Sequence, residues 1–286
     1  MQFGAVLPHN EIGTDPGAMR AWAQGVEALG ATHILIYDHV LGADPNRPGG
    51  WKGGYDKDTA FHEPLTTFAF LAAVTTRVDF MSTVLILPQR QTALVAKQVA
   101  DLDLFSGGRL RLGVGTGWNW VEYDALEMPQ HFRRRGKREE DQIALLRKLW
   151  ANSVITHDDA DHHLDRAGIL PLPERRIPIW LGGFTEAAWK RAARLGDGFI
   201  FAGRDTTHAA ELKDRIDGWR AEAGRADEPF GYESILSYHK TPERQAEEIA
   251  GWRQAGGSHV SVVTMGCGFT GVDQHIEAIT RWRDLL

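Results

Sequence analysis

Tyr37-Asp38-His39, where a histidine and an aspartate end an apolar run, is the clearest place in the sequence for acid–base chemistry. Imidazole is the commonest proton-transfer group near neutral pH. Asp38 and His39 would serve equally well to anchor a following loop, so position alone leaves both roles open. A second segment, Arg109 to Asn119, alternates Gly113, Gly115 and Gly117, with Thr116, Trp118 and Asn119 between and beside them. Glycines let a flat ring or a phosphate approach the backbone closely. The G-x-G-x-x-G spacing is missing, which speaks against a nicotinamide fingerprint. A tight turn would explain the glycines but not the neighbouring Trp118 and Asn119. In Leu181-Gly182-Gly183-Phe184-Thr185, Thr185 reads as a helix N-cap, and the glycines bare the N–H groups with which a helix start holds a phosphate. General barrel behaviour favours the last two strands for phosphate, which makes Gly266 to Gly271 a rival. The fourth segment, Thr83-Val84 through Pro88-Gln89-Arg90, reads as a buried strand that ends at a proline.

Three other clusters have plainer explanations. His157, Asp158, Asp159, Asp161, His162, His163 and Asp165 match no zinc spacing and read as a solvated loop, so no metal is expected. Arg133 to Arg138 are followed directly by Glu139, Glu140 and Asp141, the pattern of a salt-bridged helix face. Glu63-Pro64 resembles a helix start.

The elements that must hold these residues alternate along the chain. Strands are expected at Phe3–Leu7, His33–Tyr37, Val78–Leu87, Arg109–Val114, Ile177–Leu181, Phe199–Ala202, Gly231–Leu236 and His259–Thr264. A run of helical apolar spacing follows each, such as Met19, Trp22, Val26 and Leu29. Eight strand–helix units without surplus elements predict an α/β fold, a (β/α)8 TIM barrel forming one domain over residues 1–286. Gly42 to Ala60, after the second strand, and Thr156 to Arg176, between the fourth helix and fifth strand, are too long for simple turns and are lid candidates. The first lies on the C-terminal face, where barrel active sites sit. A net charge of −6 disfavours nucleic acid and anionic lipid as partners. The single cysteine, Cys267, excludes an intrachain disulfide, and with no signal-like or membrane-length apolar run a soluble cytoplasmic protein is expected. Ten tryptophans are compatible with a buried homodimer interface.

Taken in order, Tyr37-Asp38-His39-Val40, Glu63-Pro64-Leu65, Val84 to Arg90, Leu102-Asp103 with Ser106 to Arg109, Leu112 to Asn119, Ile179 to Gly183 and Leu195 to Gly198 resemble the luciferase-like monooxygenase family. The likeness is greatest to its short branch dependent on the deazaflavin coenzyme F420. The resemblance spans nearly the whole chain. It implies that Asp38 and His39 lie beside the ring and that Thr83-Val84 carries a non-proline cis peptide behind it. Thr116, Gly117, Trp118 and Asn119 would line the ring edge and ribityl chain, and Gly182, Gly183, Phe184 and Thr185 would hold the phosphate. Hydride transfer at the deazaflavin C5 to or from a small organic substrate would follow, with His39 as the acid–base residue. FMN in a reductase-fed monooxygenase is the alternative, and a non-catalytic flavin-binding protein is one of another class. In the family's sugar-phosphate dehydrogenases a glutamate stands where this chain has Trp118. An indole cannot transfer a proton, which puts that substrate in doubt.

Overall fold

Proline and capping residues set the starts of the first helices. Asp15 accepts from the Gly17 N–H at 2.8 Å, and Pro16 opens a helix whose Met19, Trp22 and Val26 are buried. The structure, a computed structural model, describes residues 1–203 and 206–286. Its first half runs β1 (Gln2–Val6), α1 (Pro16–Ala28), β2 (His33–Ile36), α2 (Pro64–Val74), β3 (Asp79–Ser82), β4 (Leu85–Ile86), α3 (Thr92–Phe105), β5 (Leu110–Gly115), α4 (Trp120–Ala125) and α5 (Arg135–Ala151). The second half adds β6 (Ile155–Asp158), β7 (His163–Ala167), β8 (Ile179–Gly182), α6 (Glu186–Leu195), β9 (Gly198–Ala202), α7 (Thr206–Glu222), β10 (Gly231–Ser237), α8 (Pro242–Gln254), β11 (His259–Val263) and α9 (Val272–Arg283).

All strands except β6 and β7 form one parallel sheet, and pairing of β3 with β5 closes it into the eight-stranded barrel that the alternating pattern predicts. The surplus elements are a difference from the sequence reading. The third barrel strand is broken in two: Met81 pairs with Arg111, and Leu85 with Val114. Four steps on one strand therefore oppose three on the other, and the extra residue falls at Thr83–Val84, whose peptide is cis. Ser82 spans the gap, with Oγ donating to the Gly113 carbonyl at 2.7 Å and accepting from the Gly113 N–H at 3.2 Å.

The expected loop at Thr156–Arg176 contains the antiparallel hairpin β6–β7. It is tied to the outside of the barrel, His162 to Thr92 at 2.6 Å and Lys97 to the Leu170 carbonyl at 2.9 Å. Six of the ten tryptophans (22, 150, 180, 189, 252 and 282) are buried, so most of the indole surface fills the core. Each such ring removes ~150–250 Å² from water, roughly 4–6 kcal/mol gross at ~25 cal/mol/Å². Among the described residues no helix is long and apolar enough to cross a membrane.

Candidate active site

At the C-terminal ends of the strands, Val84 stands between two glycines. A Cβ on Gly115 would come within 2.4 Å of its Cγ2, and one on Gly182 within 2.8 Å of its Cγ1. Glycine at both positions is therefore what admits the Val84 side chain to the barrel mouth. Tyr37, Ala202, Val263 and Met265, like Val84, pack on the apolar cluster that fills the barrel interior. Asp38 is buried and holds this segment in place, accepting from the Ile86 N–H at 2.8 Å and from Arg90 at 2.9 Å. Arg90 also reaches Glu63 at 3.0 Å, while the other oxygen of Glu63 caps α2 at the Thr66 N–H, 2.7 Å away.

His39 faces a carboxylate on which the sequence reading placed no role. Its Nδ1 lies 3.3 Å from Glu122 Oε2, and Glu122 is only 1 % exposed. The second oxygen of Glu122 accepts from the backbone N–H groups of Val40 and Leu41, and Gln89 donates to Oε2 at 3.2 Å. Burial pushes the Glu122 carboxyl up, but the His39 hydrogen bond, the imidazole charge and the two N–H groups outweigh it and hold it below the ordinary carboxylate range. An ionised carboxylate can only accept, so the His39 proton sits on Nδ1 and Nε2 is left to exchange with a substrate. One local signal marked Glu122. Asn119, placed by resemblance at the ring edge, caps α4 through the Val121 and Glu122 N–H groups, and the Asn-x-x-Glu spacing is a helix-start signature.

The loop after β2 folds over this pair. Trp51 stacks on Trp118 with centroids 5.6 Å apart, and its Nε1 donates to the Tyr55 carbonyl at 2.7 Å. Tyr55, Phe61 and Trp118 surround the His39 ring at 5.3, 4.8 and 5.8 Å. Two cavities border the loop: one of about 490 Å³ between Pro48–Gly54 and Trp118, Trp120, and one of about 320 Å³ against His39, Tyr55, Phe61 and Asn119. The Thr116 carbonyl is held by Tyr123 Oη at 2.7 Å and that of Gly117 by Arg135 Nε at 3.2 Å. Gly117 has φ +65°, and a Cβ there would meet Ile86 at 2.7 Å.

On the far side of the mouth, Thr185 caps α6 at the Ala188 N–H, 3.4 Å away, and Trp189 Nε1 donates to the Gly183 carbonyl at 3.2 Å. Phe184 is 66 % exposed beside them. At the rival turn after β11, the Gly266 N–H already holds the Glu11 carboxylate at 2.6 Å, a group that would repel a phosphate. His157, Asp159 and His162 do come together, with donor atoms within 4.8 Å of one another. They are bonded among themselves, with Lys148 Nζ 3.1 Å from His157 Nδ1, which places a cation where a metal would need none.

Comparison with known proteins places the chain among relatives of one family. An uncharacterized protein of Mycobacterium tuberculosis is 35 % identical over 215 residues, 73 % of each chain. The F420-dependent glucose-6-phosphate dehydrogenase of Gordonia bronchialis is 31 % identical over 250 residues, 83 % of this chain and 69 % of that one. The crystal structure of a monooxygenase from Streptomyces bottropensis superposes with a TM-score of 0.79 at 18 % identity, over 100 % of this chain and 98 % of that one. The model of the luciferase-like monooxygenases matches residues 1–275, and this chain, a closed parallel barrel, belongs to that family.

Proposed function

We propose that the protein is an F420-dependent oxidoreductase acting on a small organic substrate at the mouth of the barrel. The observation that carries the reading is the His39–Glu122 pair, a proton-handling couple at the end of the barrel where Val84 sits between Gly115 and Gly182. The residues present fit a tricyclic cofactor: Val84, seated between Gly115 and Gly182, offers it an apolar surface, and Gly117 adds no side chain beside it. Thr83 and Val84 would back the ring, with Asp38 holding them in place. Thr116, Gly117, Trp118 and Asn119 would follow its edge, and Gly182, Gly183, Phe184 and Thr185 would take the phosphate. When bound, the deazaflavin supplies or accepts hydride at C5. His39 moves the accompanying proton through Nε2, and Glu122 fixes the tautomer and balances the charge when the ring is doubly protonated. Trp51, Tyr55 and Trp118 exclude water from that exchange.

The chain's similarity to dehydrogenases named for F420 supports the deazaflavin over FMN. The second reading, an FMNH2-dependent monooxygenase supplied by a separate reductase, draws on the aromatic lid, which would also shield an oxygen-reactive flavin. Titration of the apo-protein with F420 and with FMN separates them. Tighter binding of F420 is expected, and tight binding of FMN alone would overturn the choice. A homodimer is part of the same proposal, to be checked by light scattering.

A further inference from the structure

A cavity of about 600 Å³ lies at the N-terminal ends of the strands, opposite the mouth, and the proposed reaction has no use for it. Two glycines shape its apolar surface. A Cβ on Gly198 would come within 2.3 Å of the Trp180 ring and one on Gly231 within 2.1 Å, so the indole lies across the starts of β9 and β10. His259 meets that ring edge-on at 5.0 Å, and Pro229 and Phe230 add to the lining.

Arg111 stands over the same indole, 5.3 Å from its centroid, and is 7 % exposed. Its Nε and Nη2 are shut away without a hydrogen-bond partner. Nη1 makes no bond to a described residue either, and is the nitrogen left to face the cavity. Buried guanidinium groups are ordinarily satisfied, so one without an acceptor calls for an explanation such as an absent ligand. The nearest carboxylate among the described residues is Asp79, 3.9 Å from Nε, which is beyond hydrogen-bond reach. Asp79 also lines the cavity, and its carboxylate accepts no bond from a described residue. Burial pushes the guanidinium below the ordinary arginine range and the Asp79 carboxyl above the ordinary carboxylate range, so neither charge fully offsets the other.

The other charges of the lining are taken. Arg175 is held by Asp103 at 2.6 Å, Arg176 by Asp197 at 2.7 Å and Glu228 by Arg225 at 2.6 Å. Arg111 and Asp79 thus offer one donor and one acceptor of opposite sign to the same space. An anion would gain Arg111 and meet Asp79 as a like charge, and a cation would do the reverse. An uncharged amide carries an acceptor and a donor on one edge and serves both.

We infer that this cavity is a second ligand site, taking a flat, uncharged amide whose carbonyl oxygen accepts from Arg111 and whose N–H donates to Asp79, with its ring among Trp180, Pro229 and Phe230. Arg111 lies at the start of β5 and Gly115 at its end by the mouth, so occupancy here leaves the mouth free. The site does not depend on which cofactor the mouth takes.

Titrations of the protein with benzamide, benzoate and benzylamine, followed by ligand-observed NMR, test the assignment without turnover. Benzamide should bind saturably and at least tenfold more tightly than either charged analogue. Arg111→Met should weaken benzamide at least tenfold. Asp79→Asn should weaken benzamide at least threefold and strengthen benzoate, because the like charge is gone; a merely structural role for Asp79 would not reverse the order in this way. A near-ultraviolet circular dichroism spectrum matching the wild type checks the fold of each variant, and if Arg111→Met does not fold, Asp79→Asn decides alone. Absence of saturable benzamide binding, which would leave only a hydrated Arg111–Asp79 pair, overturns the proposal. So does benzoate binding as tightly as benzamide to the wild type, or wild-type affinities in the folded variants.

Discussion

At the scale of single residues, Glu122 joins chemistry to architecture. One carboxylate oxygen faces His39 while the other holds the Val40 and Leu41 N–H groups, so one side chain both fixes the imidazole tautomer and shapes the start of the lid. The two duties separate by substitution. Glu122→Gln keeps an acceptor and the shape but loses the charge, and kcat should fall about tenfold to a hundredfold with F420 affinity within about twofold. Glu122→Ala also leaves two N–H groups unpaired and should cost about 2–4 kcal/mol in urea unfolding. Unchanged turnover in Glu122→Gln would show that the pair carries no proton. His39 was legible in sequence because it ends an apolar run. Glu122 was not, because the residues it serves lie 81 to 83 positions away and no local spacing encodes that meeting.

At the scale of elements, the barrel was legible because buried parallel strands read as continuous apolar runs. Gly231–Ser237, whose run includes Glu233 and Ser234, is the strand that departs from that pattern, yet it pairs on both sides. The break between β3 and β4 was hidden inside one apolar run, α4 is too short to show helical periodicity, and β6–β7 is mostly polar, turning only Ile155 and Leu164 toward the core. The lid shows what composition could not: Gly53 is the residue that lets Trp51 lie on Trp118. A Cβ there would sit 2.3 Å from the Trp51 ring and 2.6 Å from that of Trp118. Gly53→Val should separate the two indoles, abolish any exciton couplet between them in circular dichroism, and raise KM for the substrate several-fold. The barrel should unfold within about 2 °C of the wild type, since the loop adds little to its core. A persistent couplet together with an unchanged KM would mean that the stack does not close the site.

At the scale of the whole molecule, the barrel houses several imidazoles in surroundings that keep them neutral. Burial lowers His9 and His275 to about 4 and His259 to about 3. A histidine whose folded pKa is depressed binds fewer protons folded than unfolded in the interval between the two values. Its contribution to stability is therefore complete above about pH 6.5 and is lost as pH falls toward 4. Glu139 acts in the opposite direction: burial pushes it up to about 7, so it takes a proton in the folded state first and stabilises the fold as pH falls below 7. The net curve is a balance of these, and a single profile would not apportion it. Comparing the wild type with His9→Leu does, because groups not coupled to His9 cancel in the difference. Between pH 7.5 and 5 the wild type should lose about 2 kcal/mol more than the variant, which is 2.303RT over the 1.5 pH units below 6.5. Parallel profiles would mean that His9 is solvated in the native state. A steeper wild-type profile ties part of the acid sensitivity of the fold to the buried, neutral His9 imidazole at the end of β1.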